Sequence, residues 1–136
     1  MADYVTEKQF VYRGILCIIR FITFSGCRCG YICIPENSKY YRDSSLCQDV
    51  LFCHGGITYT TEGSTNIHLP DEDDNFYIGF DCAHFPMDFP DIETAKKYGA
   101  EKLVFKPDSL LDNEGHVWTI DEVEEELRNL VNQILA

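Results

Sequence analysis

The end of the chain sets the terms for the rest of it. Thr119 stands three residues before Glu122, and from there Val123, Leu127, Leu130 and Ile134 recur at helical spacing, opposed by Glu124, Glu125, Arg128 and Asn132. A threonine with glutamate three positions on is a capping box, in which hydroxyl and carboxylate satisfy orphan amide donors of the first turn. Thr119–Ala136 is therefore predicted to be an amphipathic helix, and its one apolar stripe has to be buried against another layer. A chain of 136 residues has room for one compact core. The remainder is rich in β-branched and aromatic residues, so the layer beneath the helix is expected to be a sheet.

The rest of the sequence supplies the strands. Phe10 to Phe24 is mainly β-branched, aromatic or Leu, and Ser25-Gly26 turns it into a second apolar stretch from Gly30 to Ile34, which reads as a hairpin. Glu36–Gln48 has the composition of an ordered surface loop around Tyr40 and Tyr41, two rings placed to cover a ligand. Val50–His54 reads as a short strand, Gly55-Gly56 as a break, and Ile57–Thr61 as another strand. Glu62–Asn75 is polar and carries Asp71-Glu72-Asp73-Asp74. From Asn75 to His84 residue types alternate, which puts Phe80, Cys82 and His84 on one face, until Pro86 and Pro90 end the pattern. Asp91–Tyr98 is expected to be a short helix capped by Asp91 and closed at Gly99, with a last strand at Leu103–Phe105. The fold expected is α+β: a single domain over residues 1–136, a mainly antiparallel sheet of five or six strands, and the C-terminal helix packed on one face.

Charge and cysteine content narrow the setting. Eleven Lys and Arg stand against 23 Asp and Glu, a formal charge of −12 concentrated in Asp71–Asp74 and the final helix. Such acidity argues against direct DNA or RNA binding and against an anionic membrane surface, and leaves open one local anion pocket. The seven cysteines are odd in number and too sparse for a disulfide scaffold. Met1–Phe10 has no signal-peptide pattern, and Ile15–Phe24 is too short to span a bilayer and contains Arg20. A cytoplasmic protein with mostly reduced thiols is expected. The apolar helix face is covered within the monomer or shared with a second copy in a homo-oligomer.

Two polar strings fall where predicted strands stop: Cys53-His54-Gly55-Gly56-Ile57-Thr58-Tyr59 and Gly79-Phe80-Asp81-Cys82-Ala83-His84. Three chemistries compete for them. His54, Cys82 and His84 are candidate ligands for a metal, zinc by donor type, although no paired Cys-x-x-Cys or His-x-x-x-His spacing is present. Cys82 could instead be a nucleophile with His54 or His84 as its base and the Gly55-Gly56 amides as an oxyanion site. In the third reading Gly55, Gly56, Thr58, Tyr59 and Asp81 form a non-covalent pocket. The glycine amides and Thr58 would meet a phosphate, Tyr31, Tyr40, Tyr41 and Tyr59 would stack a base, and Arg13, Arg28 or Arg42 would counter its charge. There His54 and His84 are also the candidate catalytic pair for general acid–base hydrolysis. Cys27, Cys29 and Cys33 form a weaker metal candidate, and His68 and His116 read as loop residues. Both strings could equally be structural, with the histidines bonded to backbone and Cys82 in the core.

His54-Gly55-Gly56-Ile57-Thr58-Tyr59, followed about twenty residues later by Gly79-Phe80-Asp81-Cys82-Ala83-His84 and preceded by Cys29-Gly30-Tyr31 and Pro35, resembles a family of small proteins of bacteriophages and their bacterial hosts. The resemblance covers roughly Cys29 to Asp88 and the acidic C-terminal helix. Members often have a longer, Trp-containing stretch before the second string, where this chain has Asn75-Phe76-Tyr77, and Cys27 and Cys33 fall outside the pattern. It implies a phage-type accessory protein, with an anti-defence role among the expectations. Its partner is then a small nucleotide-like signal of host immunity, bound or hydrolysed. The alternative is a host defence protein, inhibited by the acidic surface of Asp71–Asp74 with Glu122, Glu124, Glu125 and Glu126 imitating nucleic acid.

Overall fold

The apolar run from Phe10 to Phe24 reads as one strand but folds as parts of two. Arg13 and Gly14 adopt φ of +51° and +82°, and this left-handed pair turns the chain between strand β1, Tyr4–Tyr12, and strand β2, Ile15–Ile22. The mixed polar composition of the first ten residues conceals β1, which is an edge strand made of half-buried and exposed residues. The expected second turn, at Ser25-Gly26, is present, and it leads into β3, Cys27–Ile34, antiparallel to β2. The computed structural model describes residues 3–61, 75–84, 86–99 and 115–136.

Between Pro35 and Tyr59 the structure departs from the expected loop and strand. Ser44–Val50 is a helix, α1, because Asp43 accepts a hydrogen bond from the Leu46 amide and caps it. The Ser and Asp content that reads as loop is in part the cap. Val50 closes α1, so no strand runs from Val50 to His54. The expected strand at Ile57–Thr61 shrinks to β4, Tyr59–Thr60. Strand β5, Phe76–Asp81, lies between β3 and β4 and completes a five-stranded sheet of order β1-β2-β3-β5-β4, antiparallel throughout. Helix α2, Ile92–Lys97, is capped by Asp91 and followed by Gly99 at φ +84°, and α3, Ile120–Leu135, has the capping box of Thr119 and Glu122. The domain is the expected α+β type. The run Asp71–Asp74, His68 and the expected strand Leu103–Phe105 lie outside the described residues.

Residue alternation sorts the sheet into two apolar faces. Ile15, Cys17, Ile19, Ile32, Ile34, Phe76, Ile78 and Phe80 meet the α3 stripe of Val123, Leu127, Leu130, Val131 and Ile134. Four of those five helix residues are wholly buried, so the chain covers its own helix face. Each such side chain contributes about 1.5–3 kcal/mol. Gly30 permits the close docking, since a Cβ there would lie 2.9 Å from the Phe80 ring and 3.0 Å from Leu127. The opposite face carries Ile18, Ile22, Cys29, Tyr31, Tyr59 and Tyr77. No helix among the described residues is long and apolar enough to cross a membrane.

One charged cluster is built into the helix side. The β1 register shifts between Thr6 and Lys8, a bulge that holds Glu7. The Glu7 carboxylate takes two hydrogen bonds from Arg28, at 2.6 and 3.1 Å, and one from the Tyr98 hydroxyl at 2.7 Å. Arg28 also reaches Asp91 at 2.9 Å and the Trp118 carbonyl at 2.8 Å. Burial alone would raise the Asp91 carboxyl; the Thr94 amide and hydroxyl, with Arg28, hold it below its ordinary value. The side chains of Arg28 and Glu7 are 5% and 2% exposed, so deleting one partner strands the other. Arg28→Met is expected to cost about 3–5 kcal/mol in urea unfolding, and Glu7→Leu in that background to recover part of it. A single-variant loss below about 1 kcal/mol, at the level of surface pairs, would mean that the cluster contributes little.

Candidate functional site

Strand β5 ends at Asp81, whose Oδ1 accepts a hydrogen bond from the Ala83 amide at 3.1 Å and turns the chain off the sheet. The next turn closes on Asp88. Its Oδ2 accepts from the His84 amide at 2.7 Å, and its own amide donates to the His84 carbonyl at 3.0 Å. A parallel bridge to His116 pins this loop beside the start of α3. From the other side, the turn after Cys53 presents His54, whose amide donates to Glu126 Oε1 of α3 at 2.8 Å. The two imidazoles meet with ring centroids 5.3 Å apart at 79°.

Asp88 is the hub. Its side chain is 1% exposed, and His54 Nε2 lies 2.9 and 2.7 Å from its two oxygens. Trp118 Nε1 donates to Oδ1 at 3.1 Å while the indole packs on His54 at 4.4 Å between centroids. A carboxylate that holds one ring nitrogen fixes the tautomer and orientation of the imidazole. On the far side of His84, Asp81 Oδ1 lies 3.2 Å from Nε2 without the alignment of a hydrogen bond, and that buried nitrogen has no hydrogen-bond partner. The other Asp81 oxygen accepts from the Thr58 hydroxyl at 3.1 Å.

Gly55 is required by contact. It sits at φ +70°, and a Cβ there would fall 2.0 Å from His84 Nε2, whereas one at Gly56, φ +81°, would meet nothing within 4 Å. The Gly56 amide donates to the Cys53 carbonyl at 2.9 Å. That bond closes a turn, and it commits an amide that the sequence reading offered to a phosphate or an oxyanion.

The structure thus brings His54, Gly55, His84 and Asp81 together, with Thr58 attached through Asp81. It does not bring in Cys82, which is 2% exposed and packed in the core. Burial pushes the Cys82 thiol far above its ordinary value, with Cys29 and the nearby carboxylates adding to the shift. All seven cysteines are free, and burial raises Cys27 to about 11 and Cys29 and Cys53 to about 12. A thiolate nucleophile finds no support here. Tyr40, 3% exposed, is a core residue beside Cys47, and Tyr41 packs edge-on against Phe76 at 6.0 Å; neither is a stacking platform at the histidines. Arg13 bonds Asn132, Arg28 belongs to the buried cluster, and Arg42 lies over Tyr41. Asp88 and Trp118 escaped the sequence reading. The available signals were an acid between Pro86 and Pro90 directly after the second string, and the lone Trp beside a capping box.

Asp81 also borders a cavity of about 230 Å³ on the sheet face away from α3. Cys27, Cys29, Tyr31, Thr58 and Tyr59 are among its walls, and no Lys or Arg lines it. Tyr31 and Tyr59 contact each other edge to face at 5.8 Å and form wall rather than exposed platform. On α3, Glu122 binds the Thr119 amide and His116, Glu124 binds Lys8 and Arg128, and Glu126 holds His54, so three of its acids serve the chain itself. No family model, curated protein or solved structure matches the chain.

The glycine pair gives an internal control. Gly56→Ala is expected to cost only the left-handed penalty of about 1–2 kcal/mol. Gly55→Ala carries the same penalty plus displacement of the His84 ring. Thermal unfolding should therefore rank Gly55→Ala clearly lower, with the His84 ring resonances shifted in that variant alone; equal melting points and unchanged resonances would remove the contact from the site.

Proposed function

We propose that the protein binds a small nucleotide-like ligand, with a ring or short chain in the cavity and its polar end turned toward Asp81 and His84. The observation that carries this reading is the sharing of one carboxylate: Asp81 contacts His84 with one oxygen and, with Thr58, lines the cavity. At about 230 Å³ the cavity is smaller than the roughly 300–1,000 Å³ of sites for drug-sized ligands, so it suits one ring and not a dinucleotide. Aromatic and sulfur-bearing walls favour a flat, polarisable group.

His54 is the group best placed for proton transfer. Asp88 and Trp118 hold its ring on two sides while 18% of its side chain stays exposed, the arrangement of an oriented base. Phosphate recognition by local arginines has no support, because Arg13, Arg28 and Arg42 are engaged elsewhere. The acidic-surface alternative is supported less, since Glu122, Glu124 and Glu126 are held within the molecule. In the phage setting that the two strings imply, such a protein would act in the host cytoplasm on a nucleotide signal.

Titration of isotope-labelled protein with adenosine and with AMP tests the reading by NMR. Amide shifts are expected at Cys27, Tyr31, Thr58, Tyr59 and Asp81, and Ala83→Trp, which narrows the cavity at an exposed position, should weaken binding by tenfold or more, about 1.4 kcal/mol. Absence of any shift up to about 1 mM, which corresponds to only ~4 kcal/mol of binding energy, would sink it.

A further inference from the structure

The geometry points to a divalent metal site formed by His54, His84 and Asp88, with zinc as the ion its donors fit. One ring nitrogen of each histidine and one carboxylate oxygen of Asp88 lie within 4.8 Å of one another. Two imidazoles and a carboxylate are the donor set of a catalytic rather than a structural zinc, with a fourth position left for water or ligand. Both histidine side chains keep part of their surface in solvent, 18% and 27%, which gives that fourth position access.

Three features favour an ion over a closed hydrogen-bond network. First, the Asp88 carboxylate is 1% exposed, and a charge buried to that degree is found either paired or coordinated to a metal. Second, the buried His84 Nε2 has no hydrogen-bond partner, and orphan polar atoms in a dense polar cluster are where ions and waters sit. Third, each ring has a carboxylate beside it, Asp81 at His84 and Asp88 at His54, so the electrostatic field favours a cation. The fit requires modest movement. Bonds of about 2.0–2.2 Å in a tetrahedron place donors about 3.4 Å apart, so the His54 and Asp88 pair opens slightly and His84 draws in. The Trp118 indole and the His84 amide hold Asp88 while this happens.

The ligand set differs from the one that the sequence suggests, with Asp88 in the place of Cys82. It also deepens the small-ligand reading, resting on it only for the use made of the ion: the metal would supply the positive charge that the cavity lacks, and His54 would then be its ligand in place of a free base. Zinc binding needs no second ligand, so the two readings fail separately.

Isothermal titration of the chelator-stripped full chain with zinc alone is the test, with cobalt substitution as a spectroscopic check. One equivalent is expected to bind, and His84→Gln and Asp88→Asn should each weaken it on the order of a hundredfold. Asp88→Asn keeps one acceptor oxygen, enough for Trp118 or the His84 amide but not both, and circular dichroism confirms that each variant is folded. Cys82→Ser and His116→Gln should leave the isotherm unchanged, and the cobalt form should show ligand-field bands without a thiolate charge-transfer band. No saturable zinc uptake, an unaltered isotherm in folded His84→Gln and Asp88→Asn, or a thiolate band lost in Cys82→Ser would each overturn the site.

Discussion

The guanidinium of Arg28 is the contact on which the rest of the arrangement depends. A buried cation is unfavourable unless its donors are matched by acceptors, and here the acceptors come from three separate parts of the chain: Glu7 in β1, Asp91 and Thr94 at the start of α2, and the Trp118 carbonyl just before α3. β1 is already paired along β2, and α3 is fixed by its buried stripe, while α2 is only six residues long. Arg28 fixes them together. The bulge at Glu7 belongs to the same solution, because an extra residue in an edge strand re-aims one side chain without moving the strand.

The frame reaches the histidines through Trp118. Its carbonyl is held by Arg28, its indole N–H donates to Asp88, and its ring packs on His54. A single residue thus transmits the position of a charged cluster to the orientation of an imidazole. The site itself is assembled from loops, between α1 and β4 and between β5 and α2, and loops gain precision only from such ties to rigid elements. Further ties are the Glu126 bond to the His54 amide, the paired bonds between Gln133 and the Phe52 backbone, and the bridge between Asp88 and His116.

Much of this was legible in the sequence where a local rule decides the structure. The capping box, the α3 stripe, the Asp91 cap and the alternation in β5 are local patterns, and each is present as read. Proximity of His54 to Asp81 and His84 also followed, although the strand expected to carry His54 is replaced by the end of α1. What escaped depends on contacts between distant residues. Asp88 is one of 23 acids until the fold places it under His54, and the cation of Arg28 looks available to a ligand until β1 and α2 enclose it. Cys82 was misjudged for a related reason: two positions from a histidine in a strand implies a shared face, but the chain leaves the sheet after Asp81 and only the thiol stays in the core.

The thiols have a consequence for how the molecule meets an oxidant. Oxidation proceeds through the thiolate, and burial raises six of the seven cysteines, Cys17, Cys27, Cys29, Cys47, Cys53 and Cys82, well above the pH of any cell compartment. Those sulfurs behave as small hydrocarbon groups that happen to be polarisable. Where the sulfur is also buried, as in Cys17, Cys29, Cys47 and Cys82, an oxidant reaches it only when the fold opens.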